Sequence, residues 1–560
     1  MEVVAAIDQG TESTKVTFYD RRATRVSTAR RKHMQLFPRA GWVEHDPQEI
    51  FYQVKAAATE AYNKIRHKRP TIKAIGLATQ RETVVVWDKQ TGRPLHNAIV
   101  WNDTRTDSLV RELKKKLGGR EALRETTGLP LNNQFSACKV MWLMKHNKQV
   151  QEAVTDGRAY VGTMDSYLLS CLTGRVSSAA VTDVTNAART LLWDIHDKCY
   201  SSKLCDLFGI PSTALPNVVS NVEHFGAVTG TSTCLDGVPI CGCIADQSAA
   251  AVGQGILSPG GGEVKCDFGT GAFILMNTGD GSPVYSPSGL LTTPVVQLGS
   301  DAPILWGLEG VVPTAGMAID WMINQFGIMK SAEETEELLN AAKDTGGVVF
   351  VPAFQNYHTP RYSRSIKGMI MGLTQATKRE HIVRALFEAI CFEMLEIVEC
   401  MCRDTSKMHI GGIDKIMVSG GMTRNRPFLQ MASDTLQTSI QRGEQEATSL
   451  GAAIVAGLGS QFWKHQEVAW LAGRGGEQLH PSIDIMEWQA KCDRWNDVIQ
   501  RVAGGTESRR TPLLKSPPPE LMHPANNTTT NTAAAAADQH KERGRTGSRE
   551  ETWVMDGIDK

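Results

Sequence analysis

Two short turns hold the residues best suited to chemistry. The first is Asp8-Gln9-Gly10-Thr11-Glu12-Ser13-Thr14-Lys15. Successive backbone N–H groups in a glycine-containing bend form a concavity that fits phosphate oxygens. Thr11, Ser13 and Thr14 add hydroxyl donors, and Lys15 adds positive charge. Asp8, at the end of an apolar run, offers the hard oxygen ligands that suit hydrated Mg²⁺. An ordinary hairpin turn rich in Ser and Thr would use the same residues. The second turn, Asp267-Phe268-Gly269-Thr270-Gly271, repeats the Asp-x-Gly-Thr pattern in the other half of the chain. Two such turns facing each other can clamp a triphosphate. A third element, Ile416–Asn425, reads as a strand ending in Gly420 and Gly421, where a flat ring can lie against bare backbone.

These turns need strands to position them. Val3–Ile7 and Lys15–Tyr19 read as a buried strand and its return. Asp46 is placed to cap a helix that opens at Pro47. Ile72–Leu77 and Val84–Trp87 read as strands, so the polar cluster Gln80-Arg81-Glu82 falls at a strand end, where α/β sheets bind ligands. Glu263–Phe268 and Ala272–Met276 repeat the strand–turn–strand unit, which implies two related domains. Ser258-Pro259-Gly260-Gly261-Gly262 reads as the connector, with a boundary near residue 255.

Composition narrows the function classes. The chain has 560 residues, 60 basic and 60 acidic side chains, and no formal net charge. That balance argues against bulk binding of nucleic acid or an anionic membrane. No run reaches the ~18 apolar residues of a membrane span; Gly451–Gly459 is apolar but short. Met1–Asp8 lacks the basic and apolar regions of a secretory signal, so none is expected. The 12 cysteines include no CxxC pair and read as free thiols in a reducing compartment. Residues 505–560 are of low complexity and read as mostly disordered.

The order of the three glycine elements resembles the actin/hexokinase-like (ribonuclease H-like) ATPase fold: α/β, two related domains and an interdomain cleft. A closer resemblance, over roughly residues 3–500, is to the glycerol kinases of the FGGY carbohydrate kinase family. It rests on Gly41-Trp42-Val43-Glu44-His45-Asp46-Pro47, Gln80-Arg81-Glu82-Thr83, Asn97-Ala98-Ile99-Val100-Trp101, Asp183-Val184-Thr185-Asn186-Ala187 and Gly289-Leu290-Leu291-Thr292-Thr293. Residues 135–143 and 368–388 are similar to the two family signatures.

The resemblance implies an N-terminal domain over 1–255 for polyol and phosphate, a C-terminal domain over 256–504 for nucleotide, and the 505–560 tail. It implies ATP and Mg²⁺, with Asp8 holding the metal through water. Arg81 and Glu82 would bind glycerol hydroxyls, a surface salt bridge being the other reading of that pair. Asp246 would be the catalytic base, or simply a helix N-cap. Gln247 would add a substrate contact. Trp101 and Phe273 would pack the carbon edge, or Trp101 would be plain core. Thr11, Ser13, Lys15, Thr270, Gly316, Gly421 and Asn425 would contact nucleotide, with helix packing as the alternative for Gly316. Members form dimers or tetramers, so a homo-oligomer is implied without its size. The implied location is cytoplasmic, with the mitochondrial surface as an alternative.

Several positions depart from the family pattern. Glu12 replaces a Thr or Ser; a carboxylate ~6 Å from a phosphate charge costs roughly 3 kcal/mol at an effective dielectric of ~20, so weakened ATP affinity is expected. Gln134 replaces a substrate-contacting Tyr, and Asp320 a Gln near the nucleotide. Ala245 replaces a Gly, at about 1 kcal/mol if that backbone needs a positive φ. Residues 355–365 replace a family loop. The expected function is ATP-dependent phosphorylation of glycerol to sn-glycerol 3-phosphate. The alternatives are a kinase-like binding or scaffold protein with little activity, and a kinase for another small polyol.

Overall fold

The computed structural model describes residues 1–174, 180–354, 360, 366–408, 410 and 412–503. The departures at 355–365, Pro360 aside, and the 505–560 tail lie outside the described residues.

The N-terminal half is built on β1 (Glu2–Gln9), β2 (Ser13–Tyr19), β3 (Arg25–Lys32), β4 (Thr71–Thr79), β5 (Gly226–Ala227) and β6 (Pro239–Ala245), in the order β5-β6-β4-β1-β2-β3. The C-terminal half is built on β7 (Val264–Phe268), β8 (Ala272–Gly279), β9 (Leu291–Gln297), β10 (Ile304–Val312), β11 (Lys415–Gly420), β12 (Ser439–Arg442) and β13 (Gln478–Leu479), in the order β9-β10-β8-β7-β11-β12-β13. One five-strand pattern occurs in both. β6, β4 and β1 are parallel and β2 and β3 antiparallel; β12, β11 and β7 are parallel and β8 and β10 antiparallel. The Asp8 and Asp267 turns therefore join equivalent hairpins.

Helix α1 (Pro47–Ile65) starts as expected: the Gln48 N–H donates to Asp46 Oδ1 at 2.8 Å, and Pro47 occupies the first turn. The apolar run Gly451–Gly459 falls within α2 (Ala447–Gly459), which is buried along nearly its whole length. Its Leu450, Ile454 and Val455 share one core with Val4, Ala6, Ala78 and Ile244 of the N-terminal sheet. The run is apolar because it seals one half against the other. Among the described residues no helix is long and apolar enough to cross a membrane.

Close backbone approach makes that seal. A Cβ added at Gly451 would lie 1.8 Å from the Ala249 carbonyl oxygen. Gly451→Val is therefore expected to overpack the interface by about 1–3 kcal/mol. Thermal unfolding should show a Tm lower by about 1–3 °C; an unchanged Tm would mean that the helices separate freely.

Candidate active site

The turn after β4 brings two charged side chains inward together. Gln80 N donates to Gln9 O at 2.8 Å, which ties the turn to β1. Thr83 N donates to Arg81 O at 2.7 Å, and Glu82 has φ +58. A non-glycine residue in that region is strained, of order 1–3 kcal/mol, and such strain gathers where side chains must be aimed.

Arg81 and Glu82 are both buried, and neither forms a surface salt bridge with the other. Arg81 donates from Nη1 and Nη2 to Glu309 at 2.6 and 3.1 Å, and its Nε lies 3.5 Å from Asp246 Oδ1. Glu82 Oε1 accepts from Arg189 Nε at 2.7 Å and from Gln134 Nε2 at 3.3 Å. Burial works against the Arg81 charge, but Glu309, Glu82 and Asp246 outweigh it and raise its pKa.

Asp246 is the first residue of α3 (Asp246–Gly253), and Ala245 holds the cap position. The N-cap reading of Asp246 is corrected: its carboxylate accepts from Gln247 N at 2.7 Å and faces Arg81. Ala245 has φ −66, so the strain considered for it does not arise. The Asp183–Ala187 segment fixes this strand end. Ala245 N donates to Thr185 Oγ1 at 2.8 Å, and Asn221 Nδ2 donates to Cys243 O and Asp183 Oδ1, both at 2.9 Å. Burial pushes the Asp246 carboxyl up to about 6 against the pull of Arg81. Gln247 Oε1 accepts from Lys265 Nζ.

Trp101 is half-buried, not plain core. Its Nε1 donates to Thr11 Oγ1 at 2.9 Å, and its ring meets Phe273 edge-to-face at 6.5 Å between centroids. The two rings come from opposite halves and form an apolar wall beside the charged groups.

The phosphate turns are partly committed in this state. Lys15 Nζ pairs with Glu446 and lies 3.6 Å from Asp8 Oδ2. Burial disfavours the ammonium, yet Asp8 and Glu446 raise its pKa. Ser13 Oγ accepts from Arg30 Nε at 2.7 Å, and Glu12 is exposed. Gly269 and Thr270 are exposed at their hairpin tip; Gly316 N donates to Gly269 O at 3.1 Å, packing the next helix onto that turn. Asp320 is exposed on that helix. Gly420 has φ +95, and a Cβ there would lie 2.1 Å from Phe268 O, so this strand end requires glycine. A Cβ at Gly421 would meet nothing within 4 Å. Asn425 caps the next helix through Phe428 N at 3.0 Å and donates to Thr335 Oγ1 at 2.9 Å. Its side chain is engaged in holding the turn.

The Asp8 carboxylate accepts from Ser449 Oγ at 3.3 Å and lies 3.6 Å from Lys15 Nζ; burial raises its pKa, Lys15 lowers it and Glu446 adds to the rise. Glu309, Arg189, Lys265 and Glu446 were not found by motif. Glu309 carried a signal nonetheless, as a lone ionisable residue inside the apolar strand β10.

The N-terminal domain model of the FGGY family of carbohydrate kinases matches residues 3–253, and its C-terminal domain model matches residues 264–460. The chain belongs to the FGGY family of carbohydrate kinases. It is 39% identical over 510 residues to Glycerol kinase 1 of Streptomyces avermitilis, covering 90% of this chain and 98% of that protein. It is 40% identical over 513 residues to glycerol kinase of Arabidopsis thaliana, covering 89% and 97%. The crystal structure of Plasmodium falciparum glycerol kinase with ADP superposes with a TM-score of 0.83 at 38% identity, covering 90% of this chain and 98% of that one. A ligand-bound xylulose kinase from Lactobacillus acidophilus shares the fold, with a TM-score of 0.79 at 19% identity. This FGGY chain thus has the two-domain, actin/hexokinase-like ATPase fold.

Proposed function

We propose that this FGGY kinase transfers the γ-phosphoryl group of ATP to glycerol, giving sn-glycerol 3-phosphate and ADP. The observation that supports this most is the juxtaposition of buried Arg81 and Glu82 with half-buried Asp246 beside the Trp101–Phe273 wall. A polyol hydroxyl both donates and accepts, so a guanidinium and a carboxylate side by side match it. The rings cover its carbon edge. Asp246 takes the proton of the attacking hydroxyl, the kinase arrangement for a carboxylate base. Gln247, held by Lys265, and Gln134, resting on Glu82, bound the polyol.

The halves, divided near residue 255, present the Thr11–Lys15 turn and the Thr270 turn to the phosphates. Lys15 exchanges Glu446 for phosphate oxygens. Gly316, Asp320, Gly421 and Asn425 border the nucleotide, with Glu12 turned to solvent at the rim. Asp8 would hold Mg²⁺ through water, and the ion would supply charge neutralisation at the phosphates. The abundance of buried cysteines fits a reducing, cytoplasmic setting.

A coupled assay of the purified chain tests the reading. Saturating ATP and glycerol should give steady turnover with glycerol 3-phosphate as product. No product would support the alternative of a binding protein, and faster turnover of another polyol would reassign the substrate.

A further inference from the structure

Arg81 and Glu82 sit on the N-terminal half, yet the group that orients Arg81 comes from the other half. We infer that Glu309 and Arg189 are positioning residues for the polyol site, with Glu309 aiming the Arg81 guanidinium from the C-terminal domain. The inference rests on the reading of Arg81 and Glu82 as the glycerol-binding pair.

Glu309 lies on β10, opposite Leu275 on β8 and Leu291 on β9, with its side chain 1% exposed. It takes both terminal nitrogens of Arg81, a two-point fork that fixes the guanidinium plane. That leaves the Nε edge toward Asp246. Arg189, fully buried, donates to Glu309 Oε1 at 3.2 Å and to Glu82 Oε1 at 2.7 Å. Arg81, Glu309, Arg189 and Glu82 thus form a closed ring of alternating charge, completed by the peptide bond between Arg81 and Glu82. The ring balances two cations against two carboxylates, all of them buried. None of these bonds uses Glu82 Oε2, which leaves that oxygen to accept from a polyol hydroxyl. Because Glu309 shares its half with Phe273 and the Thr270 turn, the polyol site is built by both domains. Neither Glu309 nor Arg189 is asked to touch the reacting atoms; each acts through Arg81 or Glu82.

Glu309→Gln keeps the side-chain shape and removes the charge. In the full-length enzyme the glycerol KM should rise by about tenfold or more, while the ATP KM stays within about twofold. Combined with Arg81→Ala, the change should add less than about twofold to the effect of Arg81→Ala alone, because residues acting through one group are not additive. A merely structural role would shift both KM values or leave both unmoved. A folded Glu309→Gln enzyme with wild-type glycerol KM overturns the inference, and so do effects that multiply in the double variant. If Arg81→Ala itself leaves glycerol KM unchanged, the underlying reading of the site falls, and this inference falls with it. Should Glu309→Gln not accumulate as folded protein, Glu309→Asp, which keeps the charge but withdraws it by one methylene, is judged by the same criteria.

Discussion

Asp246→Asn is expected to lower kcat for glycerol phosphorylation by about 10²–10⁴-fold, the range supplied by a positioned general base, while glycerol affinity stays within about threefold. Asn keeps the size and the acceptor oxygen that holds Gln247 N, but it cannot take a proton. The wild-type enzyme should also show an acid limb. Burial pushes the Asp246 carboxyl up to about 6, and the base works only when ionised. Rate therefore falls as pH drops through about 6 and is level above it. The residual activity of the Asn variant should lack that limb. Folding separates a chemical defect from a structural one. A buried acid with a raised pKa opposes folding once it ionises, so neutral Asn should leave Tm at pH 7.5 no lower than wild type. Calorimetric glycerol binding, a pH–rate profile and a thermal melt decide the matter. A variant that keeps more than about a tenth of wild-type kcat, or the same acid limb, would remove Asp246 from the base role.

What could be read from residue order alone was local or repeated. Asp46 and Pro47 announce a helix start because cap and first turn are neighbours in sequence. The Asp8 and Asp267 turns announce related hairpins because the pattern occurs twice, and the strand pairing bears this out. Arg81 and Glu82 are marked by polarity at the end of an apolar strand. Their partners are not marked, because Glu309 lies 228 positions from Arg81 and the match exists only once two sheets meet. The same distance hides Glu446, 431 positions from Lys15. Ala245 shows another limit: whether Ala is strained depends on φ, and the observed −66 places it in an ordinary region. The apolar run in α2 was visible, but its role as a seal between halves depends on what it packs against.

Arg189→Met is expected to destabilise the fold by about 3–5 kcal/mol, the effect of breaking a buried ion pair by removing one partner. Met has similar length and packs well, so the loss is electrostatic: Glu82 and Glu309 stay buried with one cation between them. The Glu309 carboxyl allows an independent check. Burial pushes it up, but Arg189, then Arg81 and Lys265, outweigh burial and hold it at about 2, below the ordinary 4.5 of a glutamate. That depression means that ionised Glu309 stabilises the folded state, in the same direction as the expected mutational loss. The sign follows from linkage. An acid with a depressed folded pKa contributes stability that is complete above about 4.5 and fades as pH falls toward 2. Without Arg189 the Glu309 pKa rises, and that contribution shrinks. The Tm gap between wild type and variant should thus be about 3–5 °C at pH 7 and narrow below pH 4.5. Arg31→Met, at an exposed pair with Glu60, serves as the control and should change stability by less than about 0.5 kcal/mol. A gap below about 1 °C at pH 7, or one that does not narrow in acid, would mean that Met fills the site without loss. The ring would then be dispensable for folding, and any effect of Arg189 on glycerol KM would report its action on Glu82 alone.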